Sequence, residues 1–348
     1  MKILFLLLLT LPSWAQQRVS DDEFRKMWAE RVKLEAQRSE ERRIQLMASL
    51  KMTNRPDTVK DLRLAKMNLK KIPRVVYRFK NLKNLDLSNN QLTRLPRRLT
   101  RKLDSLHTLT ASFNSLKRLK FVENQHLKVV NMSSCGINTW PTAITQNKAL
   151  ETLILAANEV AGIPDDIQKL SKLKVLSFYK NKIASVSPYI GNLTELREID
   201  LYHNQLREIP LPLCQLKNLR TLAISYNSIT SLPEAIGELK NLQALYLRDN
   251  GLQQLPPQIT LLESLKELYL EANRFEQFPA QLLSMKQLEE IDLSKNKIKV
   301  LPVELNLLKK LKEFDIRQNP LQVSKENTLI IRQLQKDGVQ VYGFEVIE

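Results

Sequence analysis

From residue 59 to residue 321 the chain repeats itself about every 23 residues, and this period limits the possible folds more than any other feature. The segments Leu85-Asp-Leu87-Ser-Asn-Asn90-Gln-Leu92, Leu153-Ile-Leu155-Ala-Ala-Asn158-Glu-Val160 and Leu245-Tyr-Leu247-Arg-Asp-Asn250-Gly-Leu252 align on one pattern, L-x-x-L-x-L-x-x-N-x-L. Twelve units can be counted. Their asparagine position holds Asn90, Asn114, Asn158, Asn181, Asn204, Asn227, Asn250, Asn273, Asn296 and Asn319, with Met67 in the first unit and Cys135 in the fourth. Two steps depart from the period, 24 residues to Asn114 and 21 to Cys135, so the third and fourth units are the irregular part. In each unit the alternation L-x-L gives a short strand with one face buried. The flanking leucines finish a core that a single unit cannot close, so neighbouring units must stack. The asparagine must then turn inward and satisfy its amide on turn backbone groups of its own and the next unit, forming a ladder.

These motifs resemble the leucine-rich repeat superfamily, and the resemblance covers about three quarters of the chain. Most units continue as x-x-L-P-x-x-I-x-x-L, as in Leu232-Pro233-Glu-Ala-Ile236-Gly-Glu-Leu239. This is similar to the 23-residue class of bacterial repeat proteins and of Ras-associated repeat proteins. The resemblance implies an α/β fold: a right-handed horseshoe solenoid with a concave parallel sheet of about 12 strands. Proline at Pro73, Pro96, Pro141, Pro164, Pro210, Pro233, Pro256, Pro279 and Pro302 opens each return segment, where φ is preset and a missing N–H does no harm. Short α or 3-10 turns are therefore expected on the convex side. Pro188 is displaced by one, and the third unit has no proline there.

The flanks divide the rest of the chain. Residues 1–15 carry Lys2, an apolar run from Ile3 to Leu11, and the small residues Ser13 and Ala15, the layout of a cleavable secretory signal. The run is too short to span a bilayer, and no later stretch reaches the ~20 apolar residues a transmembrane helix needs. Residues 16–58 read as a helical N-terminal cap, opened by the capping box Ser20-Asp-Asp-Glu23, with Phe24, Met27, Trp28 and Val32 as the stripe expected to dock on the first repeat. The repeats occupy 59–322. Residues 323–348 read as a C-terminal cap with a helix from Ser324 to Gly338 and a strand over 339–344. Neither cap has the cysteine clusters of animal extracellular relatives, which points, as resemblance, to a bacterial secreted or periplasmic protein.

Two surfaces are candidates for binding. Outward strand positions gather Tyr179, Tyr202, His203, Tyr226, Tyr246, Arg248, Asp249 and Tyr269 across the sixth to tenth repeats, together with Glu271 and Arg274 and, in the third, Phe113. Tyr179 and Tyr202 share a column, as do Tyr246 and Tyr269, so each pair can stack with its hydroxyls available. Clustered exposed tyrosine beside arginine suits a protein or glycan partner. The second surface is basic: Lys60 to Lys128 holds 18 of the 54 Lys and Arg but only 4 of the 37 acids. Arg94, Arg97, Arg98, Arg101 and Lys102 form its densest cluster, on a return segment, where an anionic surface is a candidate ligand. A charge run of this kind also serves as an ordinary solvated face. Nucleic acid is not expected, because no recognition motif with interleaved aromatics accompanies the patch.

Little in the sequence supports catalysis. Three histidines, His107, His126 and His203, leave small scope for a metal centre, and two cysteines cannot form a disulfide scaffold. Cys135 fills a ladder slot and Cys214 lies on the convex side, so both are expected to be free thiols. Asp86, Asp200, Asp292 and Asp315, between the paired leucines, are mostly separated by several repeats, and the neighbours Asp292 and Asp315 are expected to be solvated; no metal, cofactor or catalytic group is assigned. The expected function is non-enzymatic recognition by an exported protein through its concave face. An intracellular scaffold of the small-GTPase-associated type is the alternative, and fold alone does not decide between them.

Overall fold

The structure is a computed structural model that describes residues 21–343 except 117, 120–123 and 323. The leader over 1–15 and the capping residue Ser20 lie outside the described residues, as do the side chains of Phe24, Met27, Trp28 and Val32. Thirteen parallel strands run in chain order through one sheet. They are β1 (Asp61–Arg63), β2 (Asn84–Asp86), β3 (Thr108–Thr110), β4 (Val129–Asn131), β5 (Thr152–Ile154) and β6 (Val175–Ser177), then β7 (Glu198–Asp200), β8 (Thr221–Ala223), β9 (Ala244–Tyr246), β10 (Glu267–Tyr269), β11 (Glu290–Asp292), β12 (Glu313–Asp315) and β13 (Gln340–Tyr342). The first twelve correspond one to one with the twelve units, and the thirteenth belongs to the C-terminal cap. Register follows the period: Leu222 pairs with Leu245, and Leu245 with Leu268. The middle residue of each of the first twelve strands is buried, and those residues join a single core that extends from Leu50 to Val339.

The convex side consists mainly of five-residue 3-10 turns such as Glu234–Glu238 and Val303–Leu307, each following its proline. A 3-10 turn rises more per residue than an α-turn, so five residues cover the return path. In the second unit, whose return is one residue longer, an α-helical turn, Arg98–Lys102, takes its place, with the Leu103 amide bonded to the Leu99 carbonyl at 3.1 Å. The wider turn absorbs the extra residue and leaves the strand register intact. Where Pro188 is displaced by one residue, Ser187 occupies the capping slot and its hydroxyl accepts from the Tyr189 amide at 3.1 Å.

The asparagine ladder has the expected geometry. Asn227 donates from Nδ2 to the carbonyls of Ile224 in its own repeat and Leu201 in the preceding one, both at 3.0 Å, and its Oδ1 accepts from the Leu206 amide at 2.9 Å. In the fourth unit Cys135 keeps part of this scheme, its Sγ donating to the Ala111 carbonyl at 3.2 Å. Just before each ladder position lies a residue in the left-handed region, from Lys66 (φ 59°) and Asn89 (φ 54°) to Gln318 (φ 57°). That backbone turn drives the next side chain into the core, and it is held by a bond to the following repeat, as from the His203 amide to the Ser225 carbonyl at 2.9 Å.

The N-terminal helix α1 (Asp21–Met52) meets the solenoid at its C-terminal end, where Leu50 is buried and Leu46 and Met47 pack on the core. Arg78 donates to the carbonyls of Lys51 at 2.8 Å and Thr53 at 3.3 Å, satisfying groups that a helix end leaves without partners. At the other terminus a helix over Lys325–Lys336 is capped by Ser324 and buries Ile330, Ile331 and Leu334. Asn327 on this helix extends the polar scheme, accepting from the Leu301 amide at 2.9 Å and donating to the Gln322 carbonyl at 2.8 Å.

Candidate partner-binding face

The concave residues follow from the period: the outward strand position, and two positions after it on the way to the ladder, recur every 23 residues and form columns. One column holds Tyr179 and Tyr202, whose rings stack at 5.2 Å between centroids. Tyr226, from the left-handed position of the next repeat (φ 53°), approaches Tyr202 at 4.9 Å and stacks on His203 at 5.0 Å. His203 is itself at such a position (φ 59°), which swings its ring beside the tyrosines. These four rings form one cluster. Tyr246 and Tyr269, paired in register on β9 and β10, form a second stack at 5.0 Å with 15° between planes.

The Tyr246 and Tyr269 hydroxyls differ from the sequence expectation that they stay available. Tyr246 donates to the Glu267 carboxylate at 2.8 Å, and Tyr269 donates to Glu290. Each carboxylate belongs to the strand following its tyrosine, so the two rings are fixed in orientation. Burial, and then the bonded Glu267, push the Tyr246 phenol up to about 12. Burial, reinforced by a hydrogen bond with Tyr226, pushes Tyr202 up to about 12 as well.

Arg248 is committed to neighbours. It forms ion pairs with Glu271 and, at 3.4 Å, with Asp292, while Lys295 holds Glu271 at 2.7 Å. Partial burial works against the Arg248 charge, but Glu271 and Asp292 more than offset it and raise its pKa. Glu271 and Asp292 are therefore not outward, solvated groups as the sequence reading has them: they are 8% and 7% exposed. The aspartates between the paired leucines share a backbone role. Asp200 accepts from the Tyr202 amide at 3.0 Å and from the Ser177 hydroxyl at 2.9 Å, and Asp292 accepts from the Ser294 amide at 2.9 Å. Asp86 and Asp315 make the same bond to the amides of Ser88 and Arg317. The signal was present in the sequence as Asp two residues before the departing backbone, an Asx-turn geometry. Asp249 and Arg274 are exposed, as expected, and Phe113 is 58% exposed in the third repeat, away from the tyrosines.

The basic cluster lies on the opposite side. Arg94, Arg97, Arg98, Arg101 and Lys102 are all exposed, and among the described residues none of the five forms an ion pair. Arg98 stacks over the Tyr77 ring at 4.7 Å, and Arg94 lies on a two-residue edge strand. Cys135 and Cys214 are buried free thiols, both pushed up to about 11 by burial. Among the described residues no group of His, Cys, Asp or Glu is arranged to hold a metal ion, and no helix is long and apolar enough to cross a membrane.

A family model described as the leucine-rich repeat region matches residues 111–228 and 211–336, and a single leucine-rich repeat matches 81–102. The chain belongs to the leucine-rich repeat family, a fold suited to protein–protein recognition. No curated protein sequence matches it. Among solved structures it is similar to an internalin of Listeria monocytogenes, with TM-score 0.70 and 19% identity over 86% of this chain and 88% of that one. A leucine-rich repeat protein of Leptospira interrogans has TM-score 0.58 and 23% identity, covering 85% of this chain and 98% of the other. The plant peptide hormone receptor RGFR1 in complex with RGF2 has TM-score 0.61 and 27% identity over 75% of this chain and 44% of the receptor.

Proposed function

We propose that this chain is an exported, non-enzymatic recognition protein that binds a protein ligand on its concave face, centred on Tyr179, Tyr202, His203, Tyr226, Tyr246, Arg248, Asp249 and Tyr269. The observation that carries the reading is the pair of preformed aromatic stacks on an unpartnered sheet face. Their rings are already oriented by Glu267, Glu290 and mutual contact, so little side-chain entropy remains to be lost on binding. The plant receptor, solved in complex with a peptide hormone, supports a polypeptide ligand ahead of a glycan. Export rests on the Lys2, Ile3 to Leu11 and Ala15 pattern, which gives 1–15 as leader, 16–58 and 323–348 as caps, and 59–322 as the binding array. The unpaired Arg94, Arg97, Arg101 and Lys102 are proposed as a secondary contact to an anionic surface.

The test is capture of partners from envelope and medium extracts by the wild-type chain and by a Tyr202→Ala, Tyr246→Ala variant. Loss of one specific partner with the variant, at unchanged thermal stability, supports the concave site. Equal capture by both chains moves the site elsewhere. Intact mass from the native source addresses export: a chain starting at or near Gln16 is expected, and a retained Met1 overturns it.

A further inference from the structure

The whole chain carries a net charge of +17, yet the C-terminal half of its concave sheet has the opposite sign. Between β9 and β13 the outward strand positions hold five carboxylates, Glu267, Glu290, Asp292, Glu313 and Asp315, and no lysine or arginine. Two of the five are neutralised locally, Asp292 by Arg248 and Asp315 by Arg317. The other three stand in register, Glu267 beside Glu290 and Glu290 beside Glu313. Adjacent strands place such groups about 5 Å apart. Among the described residues none of these three has a cation partner, and the lysines that flank the column, Lys266 and Lys312, are both held by Glu289.

A row of like charges on neighbouring strands opposes folding, and the Tyr246 and Tyr269 hydroxyls on Glu267 and Glu290, with Lys312 near Glu290, relieve it only in part. A partner that brings positive charge relieves it on binding. Beside the row, the Tyr246 and Tyr269 rings offer π-faces to a guanidinium or ammonium group, and their hydroxyls already occupy one side of Glu267 and Glu290. A neutral glycan makes no use of the charge, and an anionic one is repelled by it.

We propose that the Glu267–Glu290–Glu313 row and the Tyr246–Tyr269 stack form a docking strip for a polypeptide segment rich in lysine or arginine. This deepens the concave-face reading and rests on it. The contacts that follow are charge-assisted bonds from each cationic side chain to one carboxylate, with the aliphatic stem lying along a tyrosine ring.

The experiment uses the full chain and two fluorescein-labelled decapeptides, one of alternating Arg and Ser and one of alternating Glu and Ser, followed by anisotropy at low salt. The Arg/Ser peptide is expected to bind in spite of the net positive charge of the protein, and the Glu/Ser peptide to bind less well. Glu267→Gln, Glu290→Gln and Glu313→Gln together should weaken Arg/Ser binding at least about tenfold, with a smaller salt dependence. Glutamine keeps the acceptor for each tyrosine, so the stack survives. The control changes net charge equally on the convex side, with Glu234→Gln, Glu263→Gln and Glu304→Gln, and should leave binding unchanged. Equal loss in the two triple variants, or no Arg/Ser binding by the wild type, overturns the strip. If partner capture still depends on Tyr202 and Tyr246 while the Arg/Ser peptide fails to bind, the concave site stands and its basic ligand does not. Self-association abolished by the same three glutamines would assign the strip to a second copy of this chain and overturn the peptide.

Discussion

The Oδ1 of Asn227 accepts a hydrogen bond from the backbone amide of Leu206, 21 residues earlier, at 2.9 Å. The Nδ2 of the same side chain donates to the Ile224 carbonyl in its own repeat and to the Leu201 carbonyl in the preceding one, so one side chain ties two repeats together. Replacing it with leucine leaves the Leu206 amide without a partner where the chain turns into the core, and takes one of two donors from each carbonyl, Asn250 remaining on Ile224 and Asn204 on Leu201. Asn227→Leu should lose about 1–3 kcal/mol, the cost of stranded buried polar groups. Chemical denaturation reads it as a lower midpoint. An unchanged midpoint would show that solvent reaches these groups and that the ladder is not a source of stability.

Asn89 tests the neighbouring position. It points away from the core, which from sequence alone makes Asn89→Ala look silent, but its φ of 54° puts it in the left-handed region that alanine resists. Asn89→Ala should therefore lose roughly 1 kcal/mol, whereas Asn89→Gly should lose less, because glycine takes that conformation without a Cβ penalty. Equal midpoints for the two variants would mean that the backbone relaxes out of the left-handed region at little cost.

These two residues also mark how far the sequence could be read. Strand register, the ladder and the column of tyrosines are properties of spacing, and a 23-residue period transmits spacing directly into three dimensions. The left-handed column is different: Lys66, Phe113, Ala157 and Tyr226 share a conformation that none of them prefers, imposed by bonds to the next repeat. Phenol orientation was equally hidden. It depends on the reach of Tyr246 to a carboxylate on the following strand, a diagonal contact the one-dimensional pattern does not weight. The docking of α1 through Leu46, Met47 and Leu50 escaped the reading because the sequence stripe at Phe24 to Val32 drew attention to the opposite end of the helix.

Both thiols should be inert in the folded chain. Burial holds Cys135 and Cys214 at about 11, so almost no thiolate exists at pH 8 and little of either sulfur is accessible. An aromatic disulfide reagent should titrate neither under native conditions and both in denaturant. Rapid native reaction of Cys135 would contradict its place in the ladder.

The phenols give the alkaline behaviour a direction. Tyr202 and Tyr246 are raised to about 12 in the fold, first by burial, then by Tyr226 and Glu267 respectively, and Tyr269 is raised by burial and then by Glu290. An unfolded tyrosine ionises near pH 10, so the folded state holds these protons more tightly than the unfolded one. The stability they contribute is fully present below pH ~10 and is lost as pH rises through ~12. Absorbance near the phenolate band should show a late-titrating class in the folded chain that merges with the rest in denaturant. Tyr246→Phe should remove part of that class and reduce the loss of stability between those pH values. Glu267→Gln should lower the Tyr246 value only partly, because burial is the larger cause and remains when the charge is gone. A single ionisation step at the unfolded position, in the folded wild-type chain, would show that the rings are open to solvent and that the two stacks are not preformed.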